Sequence, residues 1–292
     1  MNIATVYGHP HDLGKPLYHT HHVFWDKTLE QMGHAVSHYL WAGFMDIPKT
    51  HDAYFFIDFH PVLFAMEKGR FPNSILYWND SFHFTMAYVA QVAERFDRAY
   101  LAEQGSTSYL RSLGYRVSWL PAAYHPGLYR PLEEVQKIHH YGFIGQQDPV
   151  VSRKGDTRKT LLERLSWERG LHGYIGFGVY GEAVNQIYNE SKITFDRTIW
   201  YNVGTRLFET IGSGAFFLMN RLPEFSGMTT LAQDGVHYVS YDDSYPDFIS
   251  KFRYYLEHDE ERQKIAHAGL THFREHHTYR NRAKTILRDL GL

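Results

Sequence analysis

The chain runs through one pattern twice. Short apolar segments ending in polar residues alternate with amphipathic ones, and a stretch without periodicity, marked by Pro121, Pro126 and Pro131, separates the two rounds. Such alternation calls for a mainly parallel sheet covered by helices, because parallel strands need a crossover long enough to hold a helix. In the first round, residues 3–7, 35–40, 53–59, 74–78, 98–102 and 116–120 read as strands. Between them lie a helix over 21–32 closed by Gly33, one with Met86, Val89, Ala93 and Phe96 on a single face, and one ending at Gly114. The second round has strands at 140–144, 174–177, 191–195 and 215–219, and helices around Leu161–Leu165 and 204–212. Asp156 or Thr157 stands where the first of these helices needs its N-cap. Three helices finish the chain, and Asp259, Glu260 and Glu261 put negative charge at the start of the middle one, where the helix dipole favours it. The expectation is an α/β protein of two successive domains, 1–132 and 133–292, a division for which 292 residues are sufficient.

Composition matters here chiefly for what it excludes. The absence of cysteine rules out disulfides, zinc-thiolate sites, iron–sulfur clusters and thiol catalysis, and it suits a reducing compartment. A net charge of −2 gives no general attraction to nucleic acid or to an anionic membrane surface. No apolar run approaches the roughly 20 residues of a membrane helix, and the N-terminus enters a strand pattern directly, so a cytoplasmic location is expected. Aromatic residues reach 16% of the chain, a composition suited to clefts for sugars or bases.

The strongest local constellation is Tyr201-Asn202-Val203-Gly204-Thr205-Arg206-Leu207-Phe208-Glu209, followed by Gly212-Ser213-Gly214 and an apolar strand. Gly204 and Thr205 fall at a helix start, where unpaired backbone N–H groups and the helix dipole suit a pyrophosphate. Arg206 can add a bidentate phosphate contact, and Glu209, one turn on, can accept hydrogen bonds from ribose hydroxyls. A plain crossover with a surface Arg–Glu pair has the same letters.

Arg206-x-Phe208-Glu209, the Gly-Ser-Gly-Ala turn and the tail resemble the group-1-type glycosyltransferases related to the spore-maturation protein CgeB. The tail carries Gln233-Asp234-Gly235, Tyr255-Leu256, Glu261-Arg262, Ile265-Ala266, Gly269 and His277-Thr278-Tyr279-x-x-Arg282. The resemblance is strongest over 140–290 and extends more loosely to Leu113-Gly114-Tyr115 and Leu120-Pro121-Ala122-Ala123. It implies a GT-B fold, two Rossmann-like domains facing across a cleft, with the final helix (about 278–290) crossing back to the first domain. It also implies transfer of a sugar, a hexose in the first instance, from a nucleotide sugar to a hydroxyl. The expected co-substrate is a UDP-sugar, with no separate cofactor and no metal. Glu209 matches the ribose-holding glutamate. Eight positions earlier, where many such enzymes have an acid against the transferred sugar, this chain has Tyr201. Arg153, Lys154 and Arg158 are the candidates for the diphosphate-binding loop, and Gly8 and Gly145, each just past the first strand of its domain, complete the expected donor set.

For catalysis the first choice is Asp80, at the end of an apolar strand, as a base or as a group that orients acceptor or sugar; it can equally cap the helix that follows. His60 and His11, or His9, are second choices, since a neutral imidazole accepts a proton near pH 7. Histidines also cluster at His19/His21/His22, His139/His140 and His276/His277, but none has the spacing of a helical zinc motif. An epimerase or hydrolase of the nucleotide sugar, and a non-catalytic nucleotide-sugar-binding module, are the competing functions. Polysaccharide, protein, small metabolite and a modified DNA base all remain as acceptors.

Overall fold

The computed structural model describes residues 1–8, 21–146, 158–198 and 200–292. The chain divides into two compact units, Met1–Ala122 with Tyr279–Leu292, and Ala123–Thr278.

Unit 1 is built on six parallel strands: β1 (Asn2–Val6), β2 (Ala35–Tyr39), β3 (Ala53–Ile57), β4 (Ser74–Trp78), β5 (Arg98–Leu101) and β6 (Val117–Trp119), in the order β2-β1-β3-β4-β5-β6. Helices α1 (His21–Gln31), α2 (Met86–Ala93) and α3 (Gln104–Ser112) lie among them in sequence. Every residue of β3 (Ala-Tyr-Phe-Phe-Ile) and β4 (Ser-Ile-Leu-Tyr-Trp) is buried, which is why these strands read as continuous rather than alternating apolar runs. On one sheet face Tyr54, Phe56, Leu76 and Trp78 join Trp41, Phe71, Val89 and Phe96 in a single core.

Unit 2 repeats the plan with β7 (His139–Ile144), α4 (Arg158–Trp167), β8 (Gly173–Gly176), α5 (Glu182–Glu190), β9 (Ser191–Asp196), α6 (Thr205–Gly212), β10 (Phe217–Asn220), α7 (Met228–Leu231), β11 (Val239–Tyr241), α8 (Tyr245–Glu257) and α9 (Asp259–His276). Its parallel sheet has the order β11-β10-β9-β7-β8. Phe143, Phe195, Leu218, Tyr241, Phe248 and Phe252 form the centre of its core. Helix α5, strand β11 and helix α7 were not expected from the sequence. α5 buries Val184, Ile187 and Tyr188, while its Asn185 and Asn189 hold the proline-marked connector. Asn185 Oδ1 accepts from Arg130 N–H (3.0 Å), Asn189 Oδ1 from Leu132 N–H (2.9 Å), and Asn189 Nδ2 donates to the Arg130 carbonyl (3.0 Å). At Gly212, the last residue of α6, a Cβ would strike the ring of buried Tyr124, so only glycine fits there.

The last helix, α10 (Tyr279–Leu290), belongs to unit 1. Tyr279 packs on Phe24 and Trp25 of α1, with ring centroids 5.6 and 5.4 Å away. Buried Arg282 donates to the carbonyls of Pro121 (2.8 Å) and Ala122 (2.9 Å), just past β6, and Asp289 accepts from the Tyr100 hydroxyl (3.0 Å). Burial lowers the Arg282 pKa to about 10, partly offset by Tyr77 and Tyr279. Among the described residues no helix is long and apolar enough to cross a membrane.

Candidate active site

In both sheets the first and third strands of the unit lie side by side while their crossovers leave in opposite directions: β1 and β3 in unit 1, β7 and β9 in unit 2. A crevice opens outside the carboxyl ends of the strands at such a switch point, and ligands of open α/β sheets bind there.

In unit 2 the carboxyl ends of β7 and β9 and the start of α6 meet at a buried charge cluster. Asp196, the last residue of β9, lies between two guanidinium groups, Arg206 Nη1 and Arg158 Nη2 (3.1 Å). Arg206 Nε also donates to the Ile144 carbonyl (2.8 Å), and Arg158 donates to the carbonyls of Gln146 and Arg197 (both 2.9 Å). Both guanidiniums face the Phe143 ring, Arg206 at 4.5 Å and Arg158 at 5.6 Å. Burial, with repulsion from Arg206, lowers the Arg158 pKa despite Asp196. For Arg206, burial acts in the same sense, but Asp196, Tyr188 and Glu209 outweigh it and hold the pKa above its ordinary value. These two arginines therefore fix the start of α6 and α4 to the sheet, with both guanidiniums largely buried against Asp196. Gly145 completes the fit: its φ is +148°, and a Cβ there would fall on Arg206 Nη2.

Gly204 is the N-cap of α6, with no neighbour within 4 Å of the place a Cβ would take, and Thr205 opens the helix. One turn later half-buried Glu209 accepts from the hydroxyl of Tyr129 through Oε1 (3.0 Å). Just before α6, Trp200 (φ 55°) and Tyr201 (φ 56°) both have left-handed backbone, a conformation that costs a non-glycine residue about 1–2 kcal/mol. Tyr201 meets Phe225, from the loop after β10, edge to face at 6.4 Å. Arg153 and Lys154 lie outside the described residues, as do Asp156 and Thr157.

In unit 1 Gly8 follows β1 with φ 76°, and Asp58 follows β3 with φ 67°. Asp58 Oδ2 lies 2.8 Å from His22 Nε2 and Oδ1 accepts from the Asn79 N–H (2.9 Å). The Tyr7 ring stacks on both His22 (5.3 Å) and His38 (4.0 Å). His60 accepts from the Val62 N–H (3.1 Å) and stacks on Trp41 (5.6 Å), so its ring helps to cap the turn Pro61–Ala65. Asp80 is exposed at the head of the short turn Ser81–His83 and its side chain caps nothing; Thr85 is the N-cap of α2. Behind it, buried Glu103 accepts from the Ser81 hydroxyl through Oε2, while Oε1 has no hydrogen-bond partner. Burial above all, against the Ser81 bond and with help from Asp80 and Asp58, raises the Glu103 pKa to about 8, so this acid holds its proton at neutral pH. His9 and His11 lie outside the described residues.

Among the described residues several of the remaining histidines pair with a ring, a carboxylate or a backbone carbonyl. His140 stacks on His172 (4.0 Å), His139 Nε2 is 3.9 Å from Glu190, and His272 and His277 both point Nε2 at the Leu231 carbonyl (2.9 Å). Among the described residues no group of three or more histidines and carboxylates is arranged to hold a metal ion. The pairs His22–Asp58 and Ser81–Glu103, the counter-ion Asp196 and the Tyr129 hydroxyl were all missed in the sequence. An aspartate ending an apolar run, at 58 and again at 196, was the one available signal.

Residues 128–288, more than half of the chain, match the sequence profile of the glycosyl transferase-like family. A search of curated protein sequences gives no significant match. Among solved structures the chain is similar to Anabaena Alr3699/HepE in complex with UDP and glucose, at 13% identity and TM-score 0.67, over 100% of this chain and 99% of that one. It is also similar to sucrose-phosphate synthase from Thermosynechococcus elongatus, at 10% identity and TM-score 0.68, covering 100% and 97%. An α-glucosyltransferase in complex with UDP and a 13-mer DNA containing an HMU base shares 7% identity at TM-score 0.67, with both chains covered in full. At these identities the likeness is one of fold, a GT-B architecture of two Rossmann-like units.

Proposed function

Since the chain belongs to the glycosyl transferase-like family and is a glycosyltransferase of the group 1 type, we propose that it transfers a hexosyl group from a UDP-sugar held by unit 2, and that it stands with the CgeB-like members. The observation that carries the donor assignment is the position of Glu209, one helical turn from Gly204 and Thr205, on the helix that starts beside the switch point of the unit 2 sheet. The N-terminus of α6 offers N–H groups and the positive end of a helix dipole to the diphosphate. Glu209, oriented by the Tyr129 hydroxyl, takes the ribose hydroxyls. Arg206 and Arg158, tied to Asp196, act by holding α6 and the end of β7 in register. Arg153 and Lys154 supply the cationic contact to the leaving diphosphate, so no divalent ion is required. The two UDP-bound neighbours support uracil as the base.

On the acceptor side Asp80 is the proposed catalytic group, an exposed carboxylate at the carboxyl end of β4 that accepts a hydroxyl proton or orients the acceptor. Gly8 and His60 follow β1 and β3 and belong to the same edge, and His11 stands three positions after Gly8 in the sequence. The reaction is substitution at the anomeric carbon: its bond to the diphosphate oxygen breaks, a bond to the acceptor oxygen forms, and the hydroxyl proton leaves to a base.

Calorimetric titration of UDP, UDP-glucose, GDP-mannose and dTDP-glucose into the parent and Glu209→Ala tests the donor site. The expected result is tightest binding of the UDP compounds, weakened about 10- to 100-fold in the variant, the range for a hydrogen bond to a charged group. A variant that binds every nucleotide as well as the parent overturns the assignment.

A further inference from the structure

We propose that Trp200 and Phe225, with Tyr201 packed edge-on against Phe225, form a platform on which the glycosyl group of the donor lies. The proposal rests on the donor site assigned to unit 2. Strands β9 and β10 are parallel neighbours, with Phe195 paired to Leu218 and Asp196 to Met219, so the loops that follow them leave the sheet side by side. Trp200 is on the first loop and Phe225 on the second. Both are large apolar residues left open, 46% and 58% exposed.

These rings stand on pinned backbone. At the base of the first loop, Thr198 N–H donates to Asn220 Oδ1 (2.8 Å), and Arg197 makes a two-pronged ion pair with Asp243 (2.8 and 3.1 Å). At the second, Ser226 N–H donates to the Pro223 carbonyl (3.0 Å), and the Ser226 hydroxyl accepts from the Met228 N–H (3.2 Å). Between these anchors two successive aromatic residues take left-handed backbone, which glycine adopts at less cost. The fold thus keeps an unfavourable local conformation in order to present aromatic rings.

A pyranose fits this surface because one of its faces is largely C–H, which packs on an aromatic ring, while its edge hydroxyls stay in water. The choice of the donor sugar follows from chain length. Trp200 stands four positions before Gly204, a span of at most about 14 Å, and the transferred sugar is bonded directly to the diphosphate placed at that helix start. The platform recognises ring shape rather than one hydroxyl, which predicts a donor site tolerant of epimers and deoxy sugars.

The test titrates UDP and UDP-glucose, without acceptor, into the parent and the variants Trp200→Ala, Phe225→Ala and Trp200→Gly. Expected are UDP affinities within twofold of the parent and UDP-glucose affinities lowered about five- to tenfold, the range for one aromatic contact. Trp200→Gly allows the left-handed backbone without strain while removing the ring, and loss of UDP-glucose affinity in a variant that unfolds cooperatively and still binds UDP as the parent does excludes misfolding as its cause. UDP and UDP-glucose affinities that fall in the same ratio, or that do not change, overturn the platform. A parent protein that binds neither compound overturns the donor site itself, a distinct result.

Discussion

Glu103 makes a thermodynamic prediction large enough to read directly. Its pKa rises from 4.5 to about 8 on folding, with burial as the first cause. Between those values the native state keeps a proton that the unfolded chain releases. Stability from this group is therefore complete below about pH 4.5, declines by up to about 1.4 kcal/mol per pH unit as pH rises, and is gone above about pH 8. Integrated over the window, the change is on the order of 4–5 kcal/mol. Glu103→Gln retains the side-chain volume and an acceptor for the Ser81 hydroxyl but has nothing to ionise. Groups common to both proteins cancel in the comparison. Denaturant unfolding of parent and variant from pH 5 to pH 9 should give midpoints that diverge, with the variant gaining steadily on the parent toward alkaline pH. Parallel midpoints across the range would refute the claim that a neutral acid is buried behind Asp80.

Further measurements bear on the rest of the site. Asp196→Asn leaves two buried guanidiniums without their counter-ion and should cost about 3–5 kcal/mol, read as a lower melting temperature; an unchanged melt would mean that the cluster is not holding α6. Asp80→Asn should lower turnover ~10²-fold or more with donor affinity nearly unchanged, because it removes basicity and keeps shape. If turnover is unchanged, the role passes to His60 or His11. Activity should persist after exhaustive chelation, and loss with EDTA that a single divalent ion restores would show that the diphosphate needs a metal.

Much of the fold was legible because its signals are local. β3 and β4 are buried on both faces and so appear as unbroken apolar runs, and Ser74–Trp78 has the bounds expected. Helix α5 was hidden because Asn185 and Asn189 share it with Val184, Ile187 and Tyr188. These amides look like loop residues until the connector whose backbone they satisfy comes into view. The candidate site divides the same way. Gly204, Thr205 and Glu209 are separated by fixed steps along one helix, so their spacing carries the geometry. The partners of Arg206 and Arg158 come from the ends of β7 and β9, and strand register brings them together. That Asp196 ends β9 between the two arginines is a matter of strand register, which the letters around Arg206 and Arg158 do not carry. His22 and Asp58 meet for the same reason, one from α1 and one from the end of β3.

The electrostatics of the two carboxyl edges give an independent reason to assign the donor to unit 2. At the unit 1 edge Asp58 and Asp80 stand near Glu103, and both add to a rise in the Glu103 pKa whose first cause is burial. A nucleoside diphosphate brings two or more negative charges and would be repelled there by the carboxylates of Asp58 and Asp80. At the unit 2 edge Arg158 and Arg206 are set against Asp196 and, one turn along α6, Glu209. An anion arriving at the start of α6 meets the positive end of a helix dipole above a cluster that includes two guanidiniums. Departure of a sugar leaves charge on the diphosphate, so a group that stabilises the leaving oxygen lowers the barrier, whereas one that repels it raises the barrier. An acid-lined edge instead suits a neutral acceptor, whose hydroxyl must lose a proton and whose other hydroxyls donate well to carboxylates. Asp80→Asn and Glu209→Ala should therefore separate kinetically. The first should act on turnover and the second on donor binding, and a pair of variants with the effects exchanged would reverse the assignment of the two units.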